Sequence, residues 1–205
     1  MSRYTGNKNR IARRFGVNIF GRARNPLLHK PNPPGVHGAR RKKKSDFGLQ
    51  LEEKQKLKAV YGMLSEKQLI NNYKKAVMMK GNTPQHLAEI LECRLDNVVY
   101  RLKFASTIFG AQQLVNHGHI LVDGKKVDIR SFTVKPGMVI SIKEKSQKVK
   151  SIQEALNGNR EIPAYLSSDP TKFSGQLMTK PGLDQISWPI EIKLPEICDF
   201  LEHTT

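Results

Sequence analysis

No aspartate or glutamate occurs in the first 45 residues of this 205-residue sequence, although 13 lysines and arginines do. Cysteine is nearly missing as well, since Cys93 and Cys198 stand far apart and outside any CxxC spacing. That excludes a disulfide framework and fits a reducing compartment. No apolar run approaches the ~20 residues needed to span a bilayer, and the opening residues hold no apolar stretch of the secretory kind. A soluble intracellular protein is expected. Hydrophobic residues make up only 38%, so part of the chain is expected to lie outside any core.

What is abundant is positive charge. Lys and Arg number 35 against 18 Asp and Glu, a net +17. So lopsided a balance repels itself in a compact chain and calls for a polyanionic partner. Residues 46–150 hold 18 basic and 10 acidic side chains, and residues 151–205 hold 4 and 8. The excess is therefore concentrated in the first segment, a basic arm on a milder body. An anionic membrane is a poor fit, because no basic amphipathic helix carries Trp or Phe on an apolar face.

The arm, residues 1–45, shows no helical or strand period, and Pro26, Pro31, Pro33 and Pro34 break any helix there. Too little apolar surface is available to offset chain entropy, which predicts an arm that is mostly disordered when free. Arg-rich segments of this kind order on RNA, their guanidinium forks reaching phosphates. The candidates are Arg3, Arg10, Arg13, Arg14, Arg22, Arg24, Arg40, Arg41, Lys42, Lys43 and Lys44. A solubilising or targeting tail is the plainer alternative, although a presequence would carry an amphipathic helix.

Order is expected from Ser45-Asp46, a cap for a helix with Leu49, Leu57, Val60, Tyr61 and Leu64 on one face. Ser65 to Gln68 is a capping-box pattern opening a second helix, with Gly81 placed to stop it. Thr83-Pro84 opens a third. From Arg94, Leu95, Val98, Val99 and Leu102 recur at helical spacing, with Arg94, Asn97 and Arg101 on the other face. Thr107 caps the next helix, and Asn116-His117-Gly118 ends it. Alternation around Asp123-Gly124 predicts a tight hairpin with Lys125 and Lys126 just past its turn, and a strand over Met138–Ile142 follows. In the acidic tail, Ile186, Trp188, Ile190, Ile192 and Leu194 alternate like a short edge strand, held there by Pro189.

The stretch RLDNVVYRLKFASTIFGAQQLVNHGHILVDGKKVDIRSFTVKPGMVISI resembles the small RNA-binding module of the ribosomal protein S-four family. PPGVHGARRKKKSDFGLQLEEKQKLKAVYG is similar to a signature in the N-terminal half of that family, and MSRYTGNKNRIARR to its start. Together these cover residues 1 to about 150, and the likeness thins over 151–205. Three positions depart from the family pattern: Ile108 and Gln112 stand where basic residues are frequent, and Lys103 where Gly is frequent.

The resemblance implies an α+β protein: a basic, mostly extended arm (1–45), an all-helical unit (46–93, joined by 176–205) and a helix-helix-β-hairpin module with its extension (94–175). It implies direct binding to small-subunit ribosomal RNA at a junction of the 5′ region and nucleation of the subunit body. It also implies ribosomal protein S-five as a neighbour, with an influence on translational accuracy. Some members bind their own messenger RNA, a further candidate partner. Within the module, Arg94, Asn97, Arg101, Lys125 and Lys126 are the expected RNA contacts. Ile190, Ile192, Leu194, Phe200 and Leu201 are the expected surface for a protein neighbour. No cofactor, membrane or small-molecule substrate is called for, and the arm lacks the cysteines with which some relatives bind zinc. The expected location is the ribosome, in cytoplasm or in an organelle stroma.

The residues admit two other readings. Arg94-Leu95-Asp96 resembles the string that carries the catalytic aspartate of pseudouridine synthases. Here it sits inside the module's own first helix, with nothing of catalytic-domain size behind it. A free RNA chaperone built on the same module is the other alternative, and it would lack the N-terminal signature. His29, His37, His117 and His119 have no Cys or carboxylate companions at metal-ligand spacing.

Overall fold

The computed structural model describes residues 4–22, 24–40 and 43–204. In chain order the helices and strands are α1 (Lys8–Phe15), α2 (Asp46–Val60), α3 (Glu66–Val77), α4 (Thr83–Glu92), α5 (Leu95–Arg101), α6 (Ile108–Asn116), β1 (Ile120–Val122), β2 (Lys125–Lys126) and β3 (Val139–Ile142), followed by α7 (Glu144–Gln147), α8 (Lys150–Leu156), β4 (Leu166–Asp169), β5 (Ser174–Leu177) and α9 (Leu194–Thr204). This is the mixed helical and antiparallel-sheet architecture that the sequence predicts. Two compact units result. One joins the described residues up to Pro84 to those from Trp188 onward, and the other is Gln85–Ser187.

The arm is more ordered than its composition suggests. Asn7 caps α1 by accepting from the Asn9 amide at 3.0 Å, and Gly16 ends it in the left-handed region at φ 68°. Ala12, Ile19 and Phe20 are buried. The expectation of an arm without a helix is corrected here: all four prolines lie beyond residue 25 and leave the Lys8–Phe15 stretch free to coil. Two caps and three buried side chains are enough, within a larger unit, for a segment that could not hold a helix alone.

The helices of the first unit begin where their caps predict. Ser45 accepts from Gly48, and Ser65 and Gln68 complete a reciprocal capping box. On α2 the lysines are closed by carboxylates: Lys54 and Lys58 both reach Glu66 at 2.7 Å, and Lys56 reaches Glu53 at 2.5 Å. The C-terminal segment returns to this unit, with α9 packed on α2 and α3. Phe200 lies under the Lys54 ammonium at 4.5 Å and against the Phe47 ring. The strand expected at 186–194 does not form. Ile186, Ile192 and Leu194 are buried while Ser187, Pro189, Glu191 and Lys193 are exposed, so the alternation is real, but no ladder accompanies it. Pro189 and Pro195 lack donors, the Lys193 amide is spent on the Glu53 carboxylate at 3.1 Å, and α9 opens at Leu194.

The second unit is built on a five-stranded antiparallel sheet in the order β2-β1-β3-β5-β4. Asp123 and Gly124 both take positive φ, 48° and 76°, as a primed hairpin turn requires. α5 and α6 pack on each other, and Leu95, Val99, Leu102, Phe104, Ala111, Val115, Ile120, Ile140 and Leu177 form one core with them. The β4–β5 hairpin extends the sheet beyond the strands read from sequence. Its residues, LSSD and SGQL, carry little apolar alternation, so the period that marks a strand is missing. Gly175 shows why it sits there. A Cβ at this position would collide with Leu102 and lie 2.9 Å from the Ser167 carbonyl.

Candidate nucleic-acid interface

Of the arm residues named from sequence, Arg10, Arg14, Arg22, Arg24, Arg40, Lys43 and Lys44 are exposed, and Arg13 is half-buried. Arg3, Arg41 and Lys42 lie outside the described residues. Some of these arginines also brace the arm, and Arg24 donates to His29 Nε2 at 3.4 Å. Arg13 donates to the carbonyl of Asn32 at 3.0 Å, and Arg22 donates to Asn9 Oδ1 at 2.9 Å. Lys44 is paired with Glu52 of α2. Arg10, Arg14, Arg40 and Lys43 have no carboxylate partner among the described residues, so their charge is available to a polyanion.

The module is arranged differently from the expectation. Arg94, Asn97 and Arg101 turn inward instead of offering themselves to phosphate. Asn97 Nδ2 donates to Glu92 Oε2 at 2.6 Å, and Arg101 reaches the same carboxylate through Nε at 3.2 Å and Nη2 at 2.9 Å. The Tyr165 hydroxyl donates to Glu92 Oε2 at 2.9 Å, and Arg101 Nη1 donates to the Ser187 carbonyl at 2.8 Å. The Glu92 side chain is 0% exposed. Burial, with Glu92 beside it, holds the Tyr165 phenol protonated above its usual range.

A second buried cluster stands next to it in sequence. Arg94 forks onto Asp96 at 3.0 and 2.8 Å, Gln112 donates to Asp96 at 3.3 Å, and Arg130 donates to Gln112 Oε1 at 3.1 Å. Asp96 therefore fixes α5 to α6 and is closed to any reacting group. The two clusters explain the misplacement. Polar residues opposite an apolar stripe read as a solvated face, yet here both carboxylates lie within one turn of the α5 start and draw them in. Ile108 and Gln112, which depart from the family pattern, are both buried, one in the core and one as the bridge between Asp96 and Arg130.

Lys125 and Lys126 are exposed at the hairpin. As neighbours on a strand they leave it on opposite sides. The Lys126 stem lies over Gly118, whose φ of 69° is a conformation glycine adopts at least cost. Its ammonium stands 4.0 Å from Asp128 in a pair that is more than half exposed and so weakly held. Behind this corner His119 Nδ1 meets Ser146 Oγ at 2.8 Å. Burial, then His117 and Lys143, keep its imidazole pKa below the ordinary value.

Sequence reading missed Arg160. Its guanidinium covers the Tyr100 ring at 4.2 Å and donates to the carbonyls of Tyr100 at 3.2 Å and Ala105 at 2.5 Å. These bonds hold the loop in which Lys103 takes φ 65°, a conformation glycine adopts at lower cost. The frequent family glycine at that position was the available signal. The tail residues Ile192, Leu194, Phe200 and Leu201 are buried within their own unit and Ile190 is half-buried, so the first four are core side chains and not a ready protein surface.

Comparison with known proteins agrees with this architecture. The family description "Ribosomal protein S4/S9 N-terminal domain" matches residues 3–92, and "S4 domain" matches residues 93–140. The small ribosomal subunit protein uS4 of Protochlamydia amoebophila (strain UWE25) is 77% identical over 206 residues, covering the whole of both chains. The proteins of the same name from Chlamydia muridarum and Chlamydia pneumoniae are 62% and 58% identical over 209 residues, again end to end. The chain belongs to the uS4 family of small ribosomal subunit proteins.

Proposed function

We propose that this chain is a structural, non-catalytic constituent of the small ribosomal subunit that binds small-subunit ribosomal RNA directly. The observation that carries the reading is the acid-free arm, with exposed Arg10, Arg14, Arg40 and Lys43 lacking any carboxylate partner among the described residues. Each phosphate such a side chain neutralises releases a condensed cation, which makes binding tight and steeply salt-dependent. A-form RNA offers little sequence to read in its deep groove, so recognition rests on the shape of a junction and its exposed 2′-hydroxyls. The junction we assign is in the 5′ domain, and holding it in one arrangement nucleates folding of the subunit body.

Neighbouring small-subunit proteins, S-five among them, complete the partner set, and through that contact the chain contributes to translational accuracy. Because Ile192, Leu194, Phe200 and Leu201 are core residues, such a neighbour would meet the exposed polar side of the tail, around Asp199, Glu202 and His203. Messenger RNA is a further candidate ligand. The site of action is the ribosome, in the cytoplasm or an organelle stroma.

The test is binding to two fragments of small-subunit ribosomal RNA, the 5′ and 3′ domains, across a salt series with excess transfer RNA. The expected result is a preference for the 5′ fragment that survives the competitor. Equal, competitor-sensitive binding to both would favour a free RNA chaperone acting through charge alone.

A further inference from the structure

Residues 67–88 contain no Asp or Glu and four lysines. Most of that segment is α3 with the turn that follows it. At 100° per residue, Lys67, Asn71, Lys74, Lys75 and Met78 share one face of the helix, and all five are exposed. Leu69, Tyr73 and Ala76, the buried residues of α3, lie on the opposite face. The single acid of the helix, Glu66, is occupied by Lys54 and Lys58 at 2.7 Å each.

α9 packs on α3, where burial, then Cys198, Glu202 and Asp199, raises the pKa of the Tyr73 phenol on the buried side of the helix. Lys67, Lys74 and Lys75 have no carboxylate partner among the described residues, whereas Lys54, Lys56 and Lys58 on α2 are all paired. Within one small unit, then, the lysines separate into a neutralised set and an unneutralised stripe.

We propose that this face of α3, formed by Lys67, Asn71, Lys74 and Lys75, docks on the phosphate backbone of an RNA helix as a second contact surface beside the arm. The proposal rests on the reading that RNA is the partner. From Lys67 to Lys75 the stripe runs ~12 Å along the helix axis, long enough to meet several successive phosphates of one strand. Lysines act there as point charges that fix position without reading sequence. Asn71, set among them, supplies a donor for a phosphate oxygen or a 2′-hydroxyl. A protein partner fits the stripe less well, since lysine is depleted from protein interfaces and Met78 is the one apolar side chain on it.

The test compares full-length wild type with Lys67→Gln/Lys74→Gln/Lys75→Gln, and with a control that loses the same charge from the acidic tail, Lys172→Gln/Lys180→Gln/Lys193→Gln. Affinity for the 5′-domain RNA fragment is measured against salt, with folding monitored by circular dichroism. The stripe variant should lose roughly 2 to 3 from the slope of log affinity against log salt, at about 0.7–0.9 per phosphate contact, while the control stays near wild type. An unchanged slope, or an equal loss in the control, overturns the surface. Unchanged RNA binding with loss of the variant from small subunits also overturns it, in favour of a protein neighbour. A wild-type protein without preference for the 5′ fragment would instead undo the reading on which the surface rests.

Discussion

Replacing Glu92 with alanine should destabilise the Gln85–Ser187 unit by about 3–5 kcal/mol, the range for removing one partner of a buried ion pair. The carboxylate accepts from Asn97, Arg101 and Tyr165, so its loss removes the charged partner of Arg101 and the shared acceptor of one buried amide and one buried hydroxyl. Hydrogen bonds inside such a network support each other, and deleting the shared acceptor costs more than deleting any one donor. Tyr165→Phe should therefore cost much less, about 1 kcal/mol, since it removes a single donor. Urea unfolding of full-length variants reads both values. The companion result concerns function: Asn97→Ala and Arg101→Met should lower the unfolding midpoint yet leave the salt slope of RNA binding intact. A steep fall in slope with normal stability would return these residues to the RNA surface.

The second large effect belongs to the arm. Converting Arg10, Arg14, Arg40 and Lys43 to glutamine should reduce the salt slope by roughly 3 to 4, at about 0.7–0.9 per lost phosphate contact. The unfolding midpoint should move little, because all four side chains are exposed. Substitution is the sharper tool than truncation here. Removing residues 1–45 would also remove Ala12, Ile19 and Phe20, which are buried, and loss of binding could then reflect loss of fold. A slope equal to that of wild type would mean that the arm's charge is solvated and that the RNA contacts lie elsewhere.

Local signals with a stereochemical cause were the most legible part of the chain. Ser45, Ser65 and Thr107 cap the helices they precede, and Asp123-Gly124 turns the hairpin, because each answers a need of the backbone within a few residues. Elements whose stability comes from distant packing were harder to see. The α1 helix offers only a thin apolar stripe, and β4 and β5 hold serines and a glycine chosen by Leu102, which lies more than sixty residues away. The alternation at 186–194 predicted which side chains are buried but not whether a neighbouring strand was there to pair with them.

Charge was legible in the same uneven way. A long acid-free run can be recognised from sequence, and the cations singled out in two of them, Arg10, Arg14, Arg40 and Lys43 in the arm and Lys67, Lys74 and Lys75 on α3, are exposed. A single arginine near a carboxylate cannot be read so directly, since Arg94 and Arg101 needed the folded positions of Asp96 and Glu92 to show that their forks are occupied. Arg160, Arg130 and Tyr165 carried no sequence signal of their own. Arg160 and Tyr165 show their roles only when the segment ahead of β4 meets the α5–α6 loop and Glu92, and Arg130 only when it meets Gln112 of α6.

The central claim, membership of the small subunit through RNA, is tested most directly by fractionating ribosomes from cells that carry an epitope-tagged copy and counting protein per particle. One copy per small subunit, retained through a moderate salt wash and lacking from large subunits, is the predicted result. Protein found mainly free, or spread over both subunits in proportion to their RNA, would contradict it.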